Sequence, residues 1–234
     1  MYGEAALAYQ DPMPRPHLNL EPSLARLKIF PLPTVVLLPG AVLPLHIFEP
    51  RYRALVTDAL ASDRIMAMAM FEPGWEVGYP DRPTVRPICG VGRIDEVERL
   101  DDGRFNIRLV GLARAEILEE LSPRAPYREV RARLPDEPTA VEAGAAETLR
   151  HAVLSLGASN PNPSTQVLVK AAAALGDPGD LADVCVAALT DDVATRQRVL
   201  EALSVPLRLQ LALDVVGEAL LQLGTGRPDG ARLN

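Results

Sequence analysis

The sequence predicts an α+β protein in which a β-rich half is followed by an all-helical half. Up to about residue 135, short apolar runs alternate with turns that contain glycine or proline, which is typical of strands. Beyond Pro138 the apolar residues recur at helical spacing. Hydrophobic residues make up 48% and charged residues 24% of the 234 positions, a balance typical of globular domains. The chain is therefore long and apolar enough to bury one large core or two smaller ones.

Five segments are predicted along the chain. Residues 1–26 contain four prolines and little periodicity, which indicates an extended arm. The β-rich domain is predicted to span 27–135 and the helical bundle 146–223. Between them, residues 136–145 interrupt both periodicities and indicate a linker. Residues 224–234 are expected to form a flexible tail.

The first part of the β-rich half predicts three strands and one helix. The strands at 27–30 and 34–38 are short apolar runs bounded by Pro and Gly. A helix is predicted over 50–61, because Pro50 suits a first helical turn and apolar residues follow at helical spacing. The strand at 64–71 is apolar on both faces, so we expect it to be covered on both sides, one of them by that helix.

A hairpin is the clearest local feature of the sequence. It joins predicted strands at 91–99 and 104–110 through a turn at 101–103, where glycine can adopt the positive φ that a tight turn needs. Two further strands are predicted at 115–121 and 127–134.

Cap residues predict the helix boundaries in the second half. Helices are expected to begin at three polar residues: Asn162, Asp180 and Ser204. They are expected to end at three glycines: Gly157, Gly176 and Gly224. The final helix is predicted from one long apolar stripe: Leu209, Ala212, Leu213, Val216, Ala219, Leu220 and Leu223.

Charge and composition exclude several classes of function. The formal net charge is −7, and residues 93–133 carry nine basic and nine acidic side chains, so nucleic acid is a poor partner. Four prolines between residues 27 and 48 exclude a membrane helix in the most apolar stretch. Only Cys89 and Cys185 could form a disulfide, and two reduced thiols fit better. With no signal-peptide pattern, we expect a cytoplasmic protein.

Catalytic motifs are absent from the sequence. No Gly-Lys pair occurs, which excludes a P-loop, and no Gly-x-Ser-x-Gly elbow is present. Ser164 and Lys170 are six positions apart in a predicted helix, so they face different sides. The three histidines lack metal-ligand spacing, and His46 is interpreted as a hydrogen-bonded core or rim residue. We therefore predict no catalytic residue, no metal and no cofactor.

Two segments, 30–40 (Phe-Pro-Leu-Pro-Thr-Val-Val-Leu-Leu-Pro-Gly) and 43–52 (Leu-Pro-Leu-His-Ile-Phe-Glu-Pro-Arg-Tyr), resemble the N-terminal substrate-recognition domain of Lon proteases. Further matches extend this resemblance to about residues 27–220: 92–94, 98–104, 110–111, Arg114, Ile117, 177–183 and 205–209. The last two, in the helical half, are weak by themselves. The resemblance implies a PUA-like β pseudo-barrel with one packed helix, followed by a helical bundle. The motifs of the Lon ATPase and Ser–Lys peptidase modules are absent, so a peptidase activity is not implied.

The main functional hypothesis is a non-catalytic module that binds unfolded or exposed hydrophobic polypeptide, as a chaperone-like protein or an adaptor for a protease or chaperone system. Candidate binding residues cluster in one stretch of sequence: Met66, Met68, Met70, Phe71 and Trp75. For the methionines, core filling is the competing interpretation, and for Trp75 it is packing of its loop on the barrel. The alternative function is a small-ligand or nucleic-acid binder that uses the barrel. An energy-independent peptidase is the least supported.

Overall fold

The computed structural model describes residues 19–78 and 82–224. It confirms the α+β class, with a β-rich region followed by a helical one. These residues fall into two compact units, and the boundary lies between Asp136 and Glu137. Most of the predicted arm and nearly all of the predicted tail lie outside the described residues, and the predicted limits of the five segments stay predictions.

The first unit is built around one mixed sheet of six strands. Their order along the chain is β1 (Leu27–Leu32), β2 (Val42–Ile47), β3 (Ile65–Met70), β4 (Ile88–Arg99), β5 (Phe105–Glu120) and β6 (Arg128–Arg133). The order across the sheet is β2-β5-β4-β3-β1-β6, and β5 pairs additionally with β6. All pairs are antiparallel except β1 with β3. The sheet therefore curls into an incomplete barrel, the pseudo-barrel that the resemblance implies.

In the described residues two α-helices, α1 (Glu21–Leu24) and α2 (Pro50–Leu60), and one 3₁₀-helix, Trp75–Gly78, accompany the sheet. Helix α2 packs on β1, where the rings of Tyr52 and Phe30 lie 3.9 Å apart, rather than mainly on β3 as the sequence suggests. The bounds of α2 agree with the predicted helix at 50–61 to within one residue.

The end of the predicted arm belongs to the first unit. Leu20 and Leu24 are buried one helical turn apart, in the same core cluster as Leu27 and Val130. The expectation of an extended chain through residue 26 is therefore wrong for this part. Two leucines at a spacing of four residues bury together when the chain forms a helical turn. Pro22 is compatible with this turn, because it lies in the first turn, where an N–H has no intrahelical partner.

The segment 34–38 is not a strand, although its apolar run predicts one. It crosses the core without ladder pairing, and Leu37 and Leu38 are each 1% exposed. A Cβ atom at Gly90 would overlap the Leu37 carbonyl oxygen, and one at Gly111 would overlap that of Leu38. Because Gly90 and Gly111 have no side chains, the sheet leaves space for the buried segment 34–38.

The predicted hairpin is confirmed, and its turn contains Gly103 at φ 79°. The prediction of a separate strand at 115–121 is wrong, because β5 continues without a break through Gly111. Its first part pairs with β2 and its last part with β6, while β4 accompanies most of its length. A single strand of 16 residues therefore pairs with both β2 and β6, one after the other along the same edge.

The described part of the second unit contains five helices. They are α3 (Ala145–Ser159), α4 (Pro163–Ala174), α5 (Pro178–Leu189), α6 (Val193–Glu201) and α7 (Val205–Gly224). Helix α7 packs against α3 and α5, and every residue from Leu181 to Ala187 is buried. Of the predicted stripe on α7, Leu209, Ala212 and Val216 are buried. The remaining members are less buried than predicted, because Leu213, Ala219 and Leu220 are half-buried and Leu223 is exposed.

Side-chain contacts explain the observed structure at three of the six predicted helix boundaries. Asn162 caps α4 as predicted, in a reciprocal capping box with Thr165. Helix α5 begins earlier than predicted: Asp177 is its cap and accepts the N–H of Asp180 at 2.9 Å. Gly157 lies inside α3 rather than at its end. Because it has no side chain, Val169 of α4 can approach α3 closely at this position.

Candidate functional site

The candidate residues lie on β3 and just after it, and the structure divides them into two groups. Strand β3 lies between β1 and β4 and is covered on both faces. Met66 is 0% and Met68 is 1% exposed. These two thioethers fill the core, the competing interpretation of the sequence, and no partner can reach them without unfolding the sheet.

Of the remaining three candidates, Phe71 and Trp75 are in ring contact, and Met70 precedes Phe71 at the end of β3; we call these three residues the Trp75 patch. The Trp75 ring stacks on Phe71 with centroids 5.2 Å apart and planes inclined by 19°. Phe71 is buried, whereas Met70 and Trp75 are half-buried. Gly74, at φ 85°, turns the chain after β3 so that Trp75 returns over Phe71. The Trp75 ring is therefore partly exposed to solvent on a buried aromatic base, and Met70 is partly exposed as well.

Backbone hydrogen bonds fix the base of the loop that carries Trp75. Phe71 pairs with Val85 in an antiparallel bridge. On either side of it, the Glu72 N–H donates to the Thr84 oxygen at 2.9 Å, and the Arg86 N–H donates to the Met70 oxygen at 2.8 Å. Trp75 therefore follows a hydrogen-bonded strand end and lies in the 3₁₀-helix Trp75–Gly78, which lowers the entropy that it loses when a partner binds.

Ion pairs add a second anchor to the same loop. Arg82 and Arg128 both contact Glu120, at 2.9 and 2.6 Å, and Arg128 also donates to the Pro83 oxygen at 2.8 Å. Arg128 belongs to β6 and Glu120 to β5. The loop that follows β3 is thus attached to the two strands whose pairing curls the sheet.

A row of polar side chains crosses three strands at the opposite end of β4. Asn106 of β5 is in register with His46 of β2 and Glu98 of β4. Its Oδ1 lies 2.7 Å from His46 Nδ1, and its Nδ2 donates to Glu98 Oε2 at 2.6 Å. Arg104 Nη1 lies 3.2 Å from His46 Nε2. Because a guanidinium only donates, Nε2 accepts and the Nδ1–H donates to Asn106.

The sequence analysis identified His46 as a hydrogen-bonded residue but missed this row. Its members are 60 and 8 residues from Asn106 along the chain, so only strand register brings them together. The available signal was the alternation of the hairpin, which places Glu98 and Asn106 on one face once the turn is known.

A groove of about 530 Å³ adjoins this row on the same strands. Val42 and Pro44 of β2 line one side, and Glu96 and Glu98 of β4 line the other. Arg108 of β5 lies between them, with Nη2 2.8 Å from Glu96 Oε1. The cation of the groove is thus already paired with a carboxylate, so the groove does not present an unpaired positive charge to an anionic ligand.

Carboxylates near the end of β5 also pair with the arginines of β6. The pairs and their distances are Arg133–Glu116 at 2.6 Å and Arg131–Glu119 at 3.1 Å, in addition to Arg128–Glu120. The balance of charge that the sequence shows is therefore also a balance in space, which disfavours a phosphate backbone as partner.

The cysteines are not nucleophiles in this fold. Cys89 and Cys185 are both buried and unpaired with each other. Burial raises the pKa of each thiol to about 12, because the thiolate would lose its hydration. At neutral pH both remain neutral thiols that fill core space.

The structure brings one serine and one lysine together that the sequence analysis did not pair. Lys28 Nζ lies 3.4 Å from Ser62 Oγ. The Ser62 hydroxyl is at an exposed helix end and lies 2.9 Å from the Asp58 carbonyl oxygen, to which it can donate. A Ser–Lys nucleophile needs a desolvated lysine, and this pair lies at the surface. The other candidate pair, Ser164 and Lys170, lies on exposed positions of α4.

Metal ligation and membrane insertion are two further possibilities for residues 19–78 and 82–224. In these ranges no three or more His, Cys, Asp or Glu residues are grouped so that they could hold a metal ion. Nor does any helix in them combine the length and the apolar character that crossing a bilayer requires.

Comparison with known proteins agrees with this fold. The family model of the ATP-dependent protease La (LON) substrate-binding domain matches residues 26–217. The chain belongs to this family. A solved N-terminal domain of a Mycobacterium avium complex Lon protease superimposes with a TM-score of 0.66 at 20% identity, over 82% of this chain and 98% of that one. The pseudo-barrel followed by helices is thus the fold of a Lon N-terminal domain.

Complete Lon proteases are similar to this chain over a limited part of their length. The Lon protease of Heliobacterium modesticaldum is 29% identical over 212 residues, which cover 86% of this chain and 25% of that protein. Lon protease 2 of Sorangium cellulosum is 30% identical over 212 residues, again 25% of that protein. The chain therefore spans about a quarter of the length of these Lon relatives, and the match covers the substrate-binding domain without an ATPase or protease domain.

Proposed function

We propose that the protein is a non-catalytic module that binds exposed apolar segments of unfolded polypeptides at the Trp75 patch (Met70, Phe71 and Trp75). The observation that carries the proposal is the stacking of the half-buried Trp75 ring on the buried Phe71 ring. Membership of a substrate-binding family supports it. The described residues offer no metal cluster or reactive thiol that would favour a catalytic role instead.

The physical basis of recognition is burial of apolar area, which attracts unrelated sequences alike. The indole face and the Met70 thioether supply a large, adaptable contact with little rotamer entropy to lose in the indole. A disordered client loses conformational entropy when it docks, so the affinity should be weak, about micromolar.

The wider role follows from the same chemistry. A module that holds unfolded chains can act as a chaperone-like protein, or as an adaptor that delivers them to a protease or chaperone system. We place this activity in the cytoplasm, a compartment in which two unpaired thiols such as Cys89 and Cys185 persist.

The test is a titration of a reduced, carboxymethylated model protein, labelled with a fluorophore and followed by anisotropy. Trp75→Ala should weaken binding about tenfold, the loss typical of a central aromatic anchor, and Met70→Ser should weaken it less. Phe48→Ala is the matched control, because Phe48 is an aromatic residue that is 47% exposed outside the patch. Thermal melts establish that each variant is folded. Equal affinity of wild type, Trp75→Ala and Phe48→Ala would exclude the patch.

Salt and catalytic assays separate this proposal from other functions. Binding should change less than about twofold between 50 and 500 mM salt, because apolar contacts release no counterions. Loss of binding by orders of magnitude over this range would favour a nucleic-acid-type electrostatic interface instead. The same preparation should neither hydrolyse ATP nor cleave casein; turnover that survives repurification would contradict the non-catalytic role.

A small-ligand function is the second candidate, because the groove between β2 and β4 has a volume within the range of ligand sites, about 300–1,000 Å³. Glu98 on its rim, a carboxylate that is not paired with Arg108, fits an apolar ligand that carries a positive charge. A screen of such compounds by thermal shift tests it, with Glu98→Gln as the variant that should abolish any stabilisation.

A further inference from the structure

A buried arginine in the helical unit has two carboxylates within reach. Arg208 of α7 is 2% exposed, and its Nη1 lies 2.5 Å from Oε2 of Glu137. Its Nε lies 3.9 Å from Oδ1 of Asp183, a residue of α5 that is 0% exposed. Nη1 also donates to the oxygen of Ala202, the C-cap of α6, at 3.3 Å. One guanidinium thus lies between α5, the end of α6 and the chain that precedes α3, all within the second unit.

The two carboxylates hold this guanidinium unequally. Glu137 is at hydrogen-bond distance, whereas the 3.9 Å to Asp183 is too long for a hydrogen bond. Within the described part of the chain, Nε of Arg208 is buried and has no hydrogen-bond acceptor. A shift of about 1 Å toward Asp183 would bring Nε to the usual N–H···O distance. The guanidinium therefore has a second position available, in which its buried donor is satisfied.

Gly179 keeps the second position accessible. It lies one helical turn before Asp183, on the same face of α5. A Cβ atom at Gly179 would lie 2.5 Å from Nη2 of Arg208, so only a glycine lets the guanidinium approach α5 this closely. The arginine therefore lies directly against the helix that carries its second carboxylate.

Glu137 belongs to residues 134–144, the segment between β6 and α3, which we call the connector. The next residue, Pro138, accepts the Val205 N–H at 3.0 Å. Val205 begins α7, where an N–H has no acceptor in its own helix, so protection of this N–H reports the attachment of the connector. The ion pair and this bond attach the connector to the bundle, and residues 139–142 after them have neither helix nor strand.

The second carboxylate lowers the cost of detaching the connector. Breaking a buried ion pair is strongly unfavourable when one charge stays buried without a partner. Loss of Glu137 does not produce that state, because the charge of Asp183 remains beside the guanidinium. The connector can therefore open locally while the rest of the bundle stays folded.

We propose that Arg208 is a latch with two positions. In the closed position it pairs with Glu137 and holds the start of the connector on the bundle. In the open position it donates from Nε to Asp183, and the connector detaches. This device is independent of the proposed function and goes beyond it.

The latch sets the length of the tether between the two units. When it is closed, only residues 134–136 lead from the end of β6 to the attached Glu137. When it is open, the whole connector forms the tether up to Ala145, the first residue of α3. The maximal reach of an extended chain is proportional to its number of residues, so opening increases the reach of the tether about threefold.

The first test is amide hydrogen exchange followed by NMR on the full chain. Glu137→Ala should raise the exchange rate of the Val205 N–H about tenfold, because the latch can no longer close. Amides inside α7, such as that of Ala212, should change less than twofold, because Asp183 still pairs with the guanidinium. Glu142→Ala is the matched control, since it removes an exposed glutamate of the same connector outside the latch, and it should leave the Val205 rate unchanged within twofold.

The second test observes the second position directly. In Glu137→Ala the Nε–H of Arg208 should donate to Asp183, and its proton resonance should move downfield of its position in the wild type. Arg208→Lys lacks this resonance and assigns it. In an Asp183→Asn background, Glu137→Ala leaves the guanidinium buried without a carboxylate, so the melting temperature should fall at least about 10 °C further than the sum of the two single shifts.

The outcomes distinguish the two parts of the proposal. An unchanged Val205 exchange rate in Glu137→Ala would overturn the latch, because other contacts would then hold the connector. Loss of protection throughout α7 in that variant, an unmoved Nε–H resonance or additive melting shifts would each overturn the second position at Asp183. If Asp183→Asn does not fold, the Nε–H resonance of Glu137→Ala decides, because that variant leaves Asp183 in place.

Discussion

Glycine at two positions of the sheet determines whether the chain between β1 and β2 can enter the core. A side chain at Gly90 or Gly111 would meet the backbone carbonyls of Leu37 and Leu38, and backbone atoms move less readily than the end of a flexible side chain. Gly217 on α7 has no neighbouring atom within 4 Å of an added Cβ. The same substitution should therefore have opposite effects at these two kinds of site.

The first prediction concerns Gly90→Ala and Gly217→Ala. Gly90→Ala should lower the free energy of unfolding by about 3 kcal/mol or prevent folding, because it overpacks the core. Gly217→Ala should raise it by about 0.5–1 kcal/mol, because alanine loses less backbone entropy in a helix. Urea unfolding followed by circular dichroism measures both. A Gly90→Ala protein as stable as the wild type would contradict the close approach to Leu37.

For individual residues, the sequence predicts burial better than it predicts exposure. Apolar residues on both faces of 64–71 predicted a covered strand, and Met66 and Met68 are buried. The sequence could not tell that Met70, one step further along, is half-buried, because that depends on where the loop returns from Trp75 to Val85. Exposure is decided by contacts between distant parts of the chain, which no local pattern records.

Elements were predicted well where short-range chemistry fixes them. Pro50 at a helix start and Gly103 in a tight turn each impose a backbone conformation by themselves. The strand predicted at 34–38 failed because its apolar run is equally suited to crossing a core without a partner strand. The break predicted within β5 failed because two partners, β2 and β6, meet one continuous strand, and partners do not appear in local alternation.

The helix caps lead to a prediction about pH. Asp192 caps α6, and its pKa is lowered below the usual value because the Thr195 side chain and the Thr195 N–H, at 2.8 Å, hydrogen-bond to the carboxylate. A carboxyl group with a lower pKa in the folded state stabilises the fold above its unfolded pKa, near 3.9. That contribution is lost as the pH falls through the folded pKa.

Asp192→Asn should therefore reduce the loss of stability between pH 6 and pH 3. Asparagine is as good a cap as aspartate, but it does not titrate in this range. Urea unfolding at both pH values measures the difference, with Asp214→Asn, an exposed carboxylate on α7, as the control. An identical pH dependence in wild type and Asp192→Asn would show that the cap does not contribute.

On the scale of the whole molecule, the order of a β-rich half and a helical half follows from the change of hydrophobic period near residue 135, and the two compact units meet between Asp136 and Glu137. The parallel pairing of β1 with β3 could not be read from the sequence, since the strands are joined through β2 and α2. The ion pair that fixes the start of the second unit could not be read from the sequence either. Glu137 Oε2 lies 2.5 Å from Nη1 of Arg208, whose side chain is 2% exposed.

The last prediction concerns the connection between the units. Pro138 accepts the Val205 N–H at 3.0 Å, so the chain up to this residue is attached to the helical unit, whereas residues 139–142 have no helix or strand. Glu142 is exposed, and the Glu137 side chain is 28% exposed and paired with Arg208. Proteolysis requires local opening of the chain. Opening at Glu142 loses the bond from the Ala145 N–H at 3.1 Å, whereas opening at Glu137 loses the ion pair with Arg208 and the bond from Val205 to Pro138.

Brief digestion with a glutamate-specific protease should therefore cut after Glu142 before it cuts after Glu137. Mass spectrometry of the early fragments identifies the bond, and circular dichroism of the separated fragments should show a β-rich and a helical spectrum. Cleavage at Glu4 in the N-terminal segment does not bear on the result. First cleavage after Glu137, or within α5 to α7 while the bond after Glu142 survives, would contradict the division of the chain into two units joined by an exposed linker.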